Sequence, residues 1–198
     1  MTFESDVGTS SAGAVAEVVE VRIRASQGFA IIDLLFVCGI IGIISGIALP
    51  RLVSAKYAAG AASAVASMRV IGSAEVTFAI TCGNGFYAPS LTTLGRPPGG
   101  STIGFVQGDL ATSDTVFKSG YTIQVSAAPV PSAPDTCNSL GVGVTGQAFK
   151  AAADPIDPAN NPRYFAINAG NSIWEDTSSL WGSMPEAGDP PSGQPLMR

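Results

Sequence analysis

Apolar residues are concentrated in one stretch near the start of the chain. Residues 29–49 read FAIIDLLFVCGIIGIISGIAL, with Asp33 as the single charged side chain. As an α-helix rising 1.5 Å per residue, this stretch would be about 31 Å long, which matches the hydrocarbon thickness of a bilayer. It is longer than the apolar part of an ordinary secretory signal, which has about 7 to 15 residues. The pattern therefore predicts a helix that can span a membrane.

A second helical pattern follows Pro50. Proline removes one helical hydrogen bond and bends the axis, but the pattern resumes after it. Apolar side chains then recur every three or four residues, which places them on one helix face. They are Tyr57, Ala61, Val65, Met68, Ile71, Ala74 and Phe78. We therefore predict one long bent helix over about residues 29–80, apolar all round in its first half and amphipathic in its second.

From Cys82 onward the pattern becomes that of short strands and turns. Gly83, Asn84 and Gly85 form a helix stop signal. Strand-like runs follow at 120–126, 147–153, 163–168 and 172–175, separated by Pro- and Gly-rich turns. No helical pattern lies between these runs, so the predicted fold class is α+β, with the long N-terminal helix packed on a small antiparallel sheet.

The remaining segments complete the predicted domain organisation. We expect a polar N-terminal segment at 1–28, a transmembrane helix at 29–50, and the amphipathic half of the helix at 51–81. The extracytoplasmic loop and sheet are expected at 82–184. The final residues, 185–198, are rich in Pro and Gly and are predicted to form a flexible tail.

Charge and composition exclude several functional classes. The formal net charge is −5, so the basic face expected of a nucleic-acid-binding protein is missing. The chain has no histidine, which excludes Ser-His-Asp and Cys-His catalysis and the usual zinc sites. We assign no catalytic residue, cofactor or metal ligand, and an enzyme is the least favoured class. Asp154, Asp157, Glu175 and Asp176 are interpreted as a solvated acidic rim, because they lack the spacing of a calcium-binding EF-hand.

The chain contains three cysteines, Cys38, Cys82 and Cys137. Cys38 lies in the apolar run and is interpreted as a small packed residue. If the polar part of the chain is exported, a Cys82–Cys137 disulfide is expected. The alternative is a pair of buried free thiols.

Four residues around the apolar run stand at fixed offsets from one another. Gly28 precedes the aromatic Phe29, Asp33 is the fifth residue counted from Phe29, and Pro50 is the twenty-second. Together with the uninterrupted apolar run, this motif resembles that of the type IV pilin and type II secretion pseudopilin family. Two features depart from the family. Asp33 stands where the family usually has glutamate, and the segment before the cut, 1–28, is long and contains acids, whereas the family's leader is usually short and basic.

The resemblance implies a pilin fold and a defined processing pathway. A prepilin peptidase would cut between Gly28 and Phe29 and remove residues 1–28 as a leader. The new amino group of Phe29 would be methylated, and 29–50 would serve as the assembly helix. The subunit would then join a helical homo-oligomeric filament through its apolar helix, with help from an inner-membrane assembly platform. Before assembly it would lie in membrane lipid as a single-pass inner-membrane precursor, with Arg22 and Arg24 on the cytoplasmic side. The assembled filament would be extracellular or periplasmic.

Asp33 can be interpreted on physical grounds. A carboxylate in a membrane-spanning helix costs about 2.5 to 3.5 kcal/mol near the bilayer centre and less near the ends. Cutting after Gly28 would create an α-amine on Phe29, largely protonated at neutral pH, four residues away on the same helix face. Asp33 could pair with that amine in its own subunit or a neighbouring one, and the resemblance favours the neighbour. The weaker alternative is that Asp33 only complements the helix dipole, at about 0.3 to 1 kcal/mol.

Three functional hypotheses follow. The first is a structural subunit of a type IV pilus-like filament. The second is a pseudopilin of a type II secretion system, which the shared motif does not separate from the first. The third is a single-span anchored extracytoplasmic binding protein, which would keep its leader.

Overall fold

A computed structural model describes residues 31–196, and the chain divides into two units between Ser45 and Gly46. The predicted cleavage site, Gly28 and Phe29, lies outside the described residues. Helix α1 extends over Ile31–Thr81 with Pro50 inside it. It ends at the predicted turn, where Asn84 and Gly85 have φ angles of 52° and 91°. The prediction of one long helix is confirmed.

The apolar part of α1 meets the criteria for a membrane span. It contains a window of 18 residues with a mean hydropathy of 2.5, and none of that window is buried. The chain therefore has an N-terminal helix long and apolar enough to cross a membrane.

The described residues form a six-stranded sheet in which every neighbouring pair is antiparallel and the strand order follows the sequence. The strands are β1 (Thr115–Lys118), β2 (Tyr121–Ser126), β3 (Lys150–Pro155), β4 (Tyr164–Asn168), β5 (Ile173–Asp176) and β6 (Gln194–Pro195). A short helix, α2 (Leu91–Gly95), and a 3-10 turn (Gly108–Ala111) precede the sheet. The antiparallel sheet confirms the predicted α+β class, and the four predicted runs correspond to β2 through β5.

The second half of α1 covers the inner face of the sheet. Its buried apolar side chains include Ala61, Ala64, Met68, Ile71, Ala74 and Phe78, which repeat at helical spacing. Alternate residues of β2 complete the layer: Tyr121, Ile123 and Val125 are buried and the residues between them are half-buried. The amphipathic prediction is thus confirmed, although Tyr57 and Val65 of the expected stripe are only half-buried.

Two glycines allow α1 to approach the sheet closely. A Cβ atom added to Gly60 would lie 2.6 Å from the carbonyl oxygen of Ser119, at the β1–β2 turn. One added to Gly72 would lie 2.5 Å from Asn171 Oδ1 and 2.8 Å from Ile167 Cδ1. Real Cβ atoms do not pack at such distances, so a larger residue at Gly60 would push the helix away from the backbone of the turn, whereas one at Gly72 would displace the side chains of Asn171 and Ile167.

The outer face of the sheet is also partly covered. Leu180 and Met184 pack on Ala152 and Ala166, with Trp174 and Trp181 beside them. The Nζ of Lys150 donates to the carbonyl of Trp181 at 2.9 Å and lies 5.2 Å from the centre of its ring. We expected burial on the helix side of the sheet, and the chain's own 177–184 segment adds this second layer.

Cys82 and Cys137 form the expected disulfide, with Cα atoms 4.8 Å apart. The bond joins the end of α1 to the loop that leads towards β3. The backbone N–H of Cys137 also donates to the carbonyl of Cys82 at 3.1 Å.

The segment 185–198 differs from the flexible tail that we expected. In its described part, 185–196, β6 pairs with β5, and the N–H of Leu196 donates to the carbonyl of Ile173 at 2.8 Å. The carbonyls of Pro185 and Gly188 accept from Asn168 Nδ2. Proline and glycine here make turns along the sheet edge, so composition alone gave the wrong picture for 185–196.

Candidate functional site

The described part of the first unit presents an exposed apolar helix surface, which we define as residues 31–44 of α1. All of these residues are exposed. The large apolar side chains among them are Ile31, Ile32, Leu34, Leu35, Phe36, Val37, Ile40, Ile41, Ile43 and Ile44. Burying one such side chain fully contributes about 1.5 to 3 kcal/mol, so this surface in water would cost on the order of tens of kcal/mol. It requires an apolar environment supplied by something else.

Asp33 lies in the first turn of α1 and is exposed on this surface. Its position at the N-terminal end of the helix suits a negative charge, because the helix dipole is positive there. The predicted partner, the α-amine of Phe29 after cleavage, falls outside the described residues. The pairing of these two groups stays a prediction.

Small residues interrupt the same surface. A Cβ atom added to Gly39 or Gly42 would have no atom of the described residues within 4 Å, and the same holds for Gly46 in the second unit. Cys38 is exposed and is not disulfide-bonded within the described chain. The fold of 31–196 therefore gives no packing reason for glycine at these three positions.

The four acids of the predicted rim occupy separate positions around the sheet. The two carboxylate oxygens of Glu175 accept from Arg163 at 2.5 and 3.1 Å, and Asp176 accepts from Ser192 at 2.6 Å. Asp154 accepts from the hydroxyl of Ser179 at 2.6 Å. Within 31–196, no group of three or more acids or cysteines is placed to hold a metal ion.

Asp157 connects the β3–β4 loop to α1. It accepts from Asn160 at 2.8 Å and from the Tyr57 hydroxyl at 3.0 Å. These two hydrogen bonds, that of Asn160 first, lower the pKa of Asp157. The half-buried Tyr57 thus links the first turns of the second unit's helix to the β3–β4 loop.

Sequence reasoning missed one residue, Glu75. Its side chain is fully buried on α1, and burial raises the pKa of its carboxyl to about 8, opposed by a hydrogen bond from the Ala88 N–H. The signal was present: Glu75 lies four residues after Ile71 and three before Phe78, on the predicted apolar face. Glu75 therefore belongs to the buried face that the sequence pattern predicts.

Comparison with protein-family models, with curated proteins and with solved structures found no match to this chain. Any functional assignment therefore depends on the motif around residues 28–50 and on the geometry described above.

Proposed function

We propose that this chain is a structural subunit of a type IV pilus-like filament, processed by a prepilin peptidase and assembled through its apolar N-terminal helix. The observation that carries the proposal is the apolar helix surface, 31–44, exposed on a helix whose later part packs on a disulfide-bonded α+β domain. The role is structural rather than catalytic.

The apolar helix surface needs two successive environments under this proposal. Before assembly, a bilayer accommodates it, since the span is long and apolar enough. After assembly, the same side chains would pack among equivalent helices in the filament core. Both environments are apolar, so transfer from one to the other keeps the surface out of water and avoids the large hydrophobic cost.

Asp33 would connect processing to assembly. In the uncut precursor, no cation lies within the apolar run of 29–49. Cleavage after Gly28 would supply the positive α-amine of Phe29, and Asp33 of one subunit would pair with that amine in a neighbour. A desolvated acid with such a partner is stabilised, whereas one without it is costly.

Two measurements test the proposal in its natural host. The first is the mass of the mature N-terminal peptide. We expect it to begin at Phe29, with the mass of one added methyl group. A mature protein that retains residue 1 in the membrane would contradict the proposal and favour the single-span anchored binding protein.

The second measurement is the yield of sheared filaments from Asp33 variants. Asp33→Ala should reduce filament yield at least tenfold while the membrane-bound, processed subunit accumulates, because the amine of the incoming subunit would lack its partner. Asp33→Glu keeps the charge and should retain assembly. Asp109→Ala is the matched control, because Asp109 is an exposed acid of the 3-10 turn.

Normal filament yield from Asp33→Ala would refute the pairing argument. A processed subunit that never forms filaments outside the cell but forms short periplasmic fibres would identify the pseudopilin instead.

A further inference from the structure

Glu75 is an acid placed in the apolar layer between α1 and the rest of the second unit. It lies one turn from Ile71 and from Phe78, and all three side chains have 0% exposure. A charged carboxylate in such a layer is destabilised unless a cation or several hydrogen bonds compensate for its lost hydration.

The carboxyl group has a single hydrogen bond. Its Oε2 accepts from the backbone N–H of Ala88 at 2.8 Å, whereas Oε1 is buried and has no hydrogen-bond partner within the described residues. One donor is too few for a buried carboxylate, which can accept about four hydrogen bonds. A neutral acid needs fewer, since its carbonyl oxygen accepts from Ala88 and only one O–H remains unpaired.

Ala88 belongs to a short segment, 83–90, that we call the latch segment. It begins after disulfide-bonded Cys82, and Tyr87 within it exchanges backbone hydrogen bonds of 2.8 and 3.0 Å with Gly146. Its turn places Asn84 and Gly85 in the left-handed region. The disulfide before it and the Tyr87–Gly146 pairing within it therefore fix the latch segment at two points, and the hydrogen bond from Ala88 to Glu75 connects it to α1.

The ionisable groups on the surrounding elements do not compensate for the charge. On α1, Arg69 is six residues away and exposed. In the latch segment the ionisable group is Tyr87, whose ring packs 5.2 Å from that of Phe149. Beyond α2, Arg96 donates to the carbonyl of Ser139, and Asp109 is exposed on the 3-10 turn. Within the described chain, burial and the Ala88 N–H are the influences on the pKa of Glu75, which burial raises to about 8.

We propose that Glu75 is a proton-dependent latch, which holds the latch segment against α1 as a neutral acid and loosens that segment when it becomes a carboxylate. Opening the segment lets water reach Oε1 and hydrate the charge. The disulfide keeps Cys82 and Cys137 joined, so the opening stays local. The latch operates within residues 46–196 and does not depend on filament assembly.

Hydrogen exchange of the full chain in detergent micelles tests this proposal. Protection of the 83–90 amides is measured at pH 6 and pH 9 and corrected for intrinsic exchange. The closed segment keeps the Glu75 proton up to about pH 8, whereas the opened, hydrated segment releases it above an ordinary pKa of 4.5. Protection in the wild type should therefore fall about tenfold per pH unit between pH 6 and pH 8, or about a hundredfold over the whole range. Glu75→Gln should show no such fall, because the amide stays neutral.

Glu186→Gln is a matched control. Glu186 also accepts one backbone N–H, from Ala128 at 2.7 Å, but it is only half-buried. This variant should keep the wild-type fall in protection at 83–90.

A second variant keeps the proposal testable if Glu75→Gln does not fold. Glu75→Leu removes both the acid and the tie, so protection of 83–90 should be low at both pH values and independent of pH. Wild-type protection that is equal at pH 6 and pH 9 would overturn the proposal. So would a hundredfold fall that persists in either Glu75 variant.

Discussion

The buried acid also predicts how the stability of the whole domain responds to pH. Glu75→Gln replaces the carboxyl with a neutral amide of nearly the same shape, which can still accept from the Ala88 N–H. The comparison between this variant and the wild type isolates one titration from all others in the chain. Other acids, such as Asp114 and Asp157, have lowered pKa values from hydrogen bonds and contribute equally to both proteins.

The magnitude follows from the shift in the pKa of Glu75, from an ordinary value of 4.5 to about 8. Between these values the folded protein keeps a proton that the unfolded chain has released. Stability from this group is therefore fully present below pH 4.5, declines as the pH rises, and is lost above about pH 8. Each pKa unit corresponds to about 1.4 kcal/mol, so the total loss approaches about 5 kcal/mol as an upper limit. Opening of the latch segment would reduce this loss, since hydration relieves the charge.

Urea unfolding between pH 5 and pH 9 measures the effect, with the fluorescence of Trp174 and Trp181 as the signal. Both indoles pack on the outer cluster of the sheet, so their environment changes on unfolding. We expect the wild-type free energy of unfolding to fall across this range by several kcal/mol more than that of Glu75→Gln. Because the buried amide has donors without partners, the variant can be less stable at pH 5, and the difference in slope is the diagnostic quantity. Parallel profiles for the two proteins would refute the assignment of Glu75 as a buried neutral acid.

Two further predictions concern packing and the disulfide. Gly60→Ala should lower the free energy of unfolding in urea by about 1–2 kcal/mol, because the strain at the Ser119 carbonyl exceeds the gain in helix propensity. The control Gly46→Ala should not lower it, since no neighbouring side chain or loop of the described residues lies within 4 Å of the added Cβ. A larger loss in Gly46→Ala than in Gly60→Ala would contradict the close packing at Gly60. The double variant Cys82→Ser with Cys137→Ser should lose on the order of 4 kcal/mol of stability, which lowers the thermal midpoint by about 10 °C. The control Cys38→Ser should leave the midpoint unchanged. An unchanged midpoint in the double variant would refute a structural role for the disulfide.

Regular periodicity explains why the helix and the central strands could be predicted from sequence. The apolar face of α1 repeats over many turns, and β2 alternates buried and half-buried residues over its full length. The disulfide was also predictable, because only two cysteines lie outside the apolar run. The helix and the strands follow from patterns between neighbouring residues, and the disulfide follows because few cysteine pairings are possible.

The missed elements depend on contacts between distant residues. β1 has four residues, of which only Val116 is buried, so it carries almost no pattern of its own. β6 has two residues and exists because Gln194 and Pro195 pair with Glu175 and Trp174. Pairing of this kind is invisible in local composition, which is why 185–196 was mistaken for a tail.

The glycines of α1 fall into two sets that the sequence pattern alone does not distinguish. Gly60 and Gly72 have an internal reason to be glycine, since Ser119 and Ile167 occupy the space that a Cβ would need. Gly39, Gly42 and Gly46 have no such reason within the described residues. Each glycine destabilises a helix by about 1 kcal/mol relative to alanine in water, so these three would weaken α1 by about 3 kcal/mol.

The proposed filament supplies the missing reason for that second set of glycines. Small residues three or four positions apart let apolar helices approach closely, and in an apolar phase such packing replaces the hydrophobic effect as the driving force between helices. Bulky residues at Gly39 and Gly42 would leave the α+β domain unchanged and alter only helix contacts outside it. The same residue type therefore serves the fold in one half of α1 and, under the proposal, the assembly in the other.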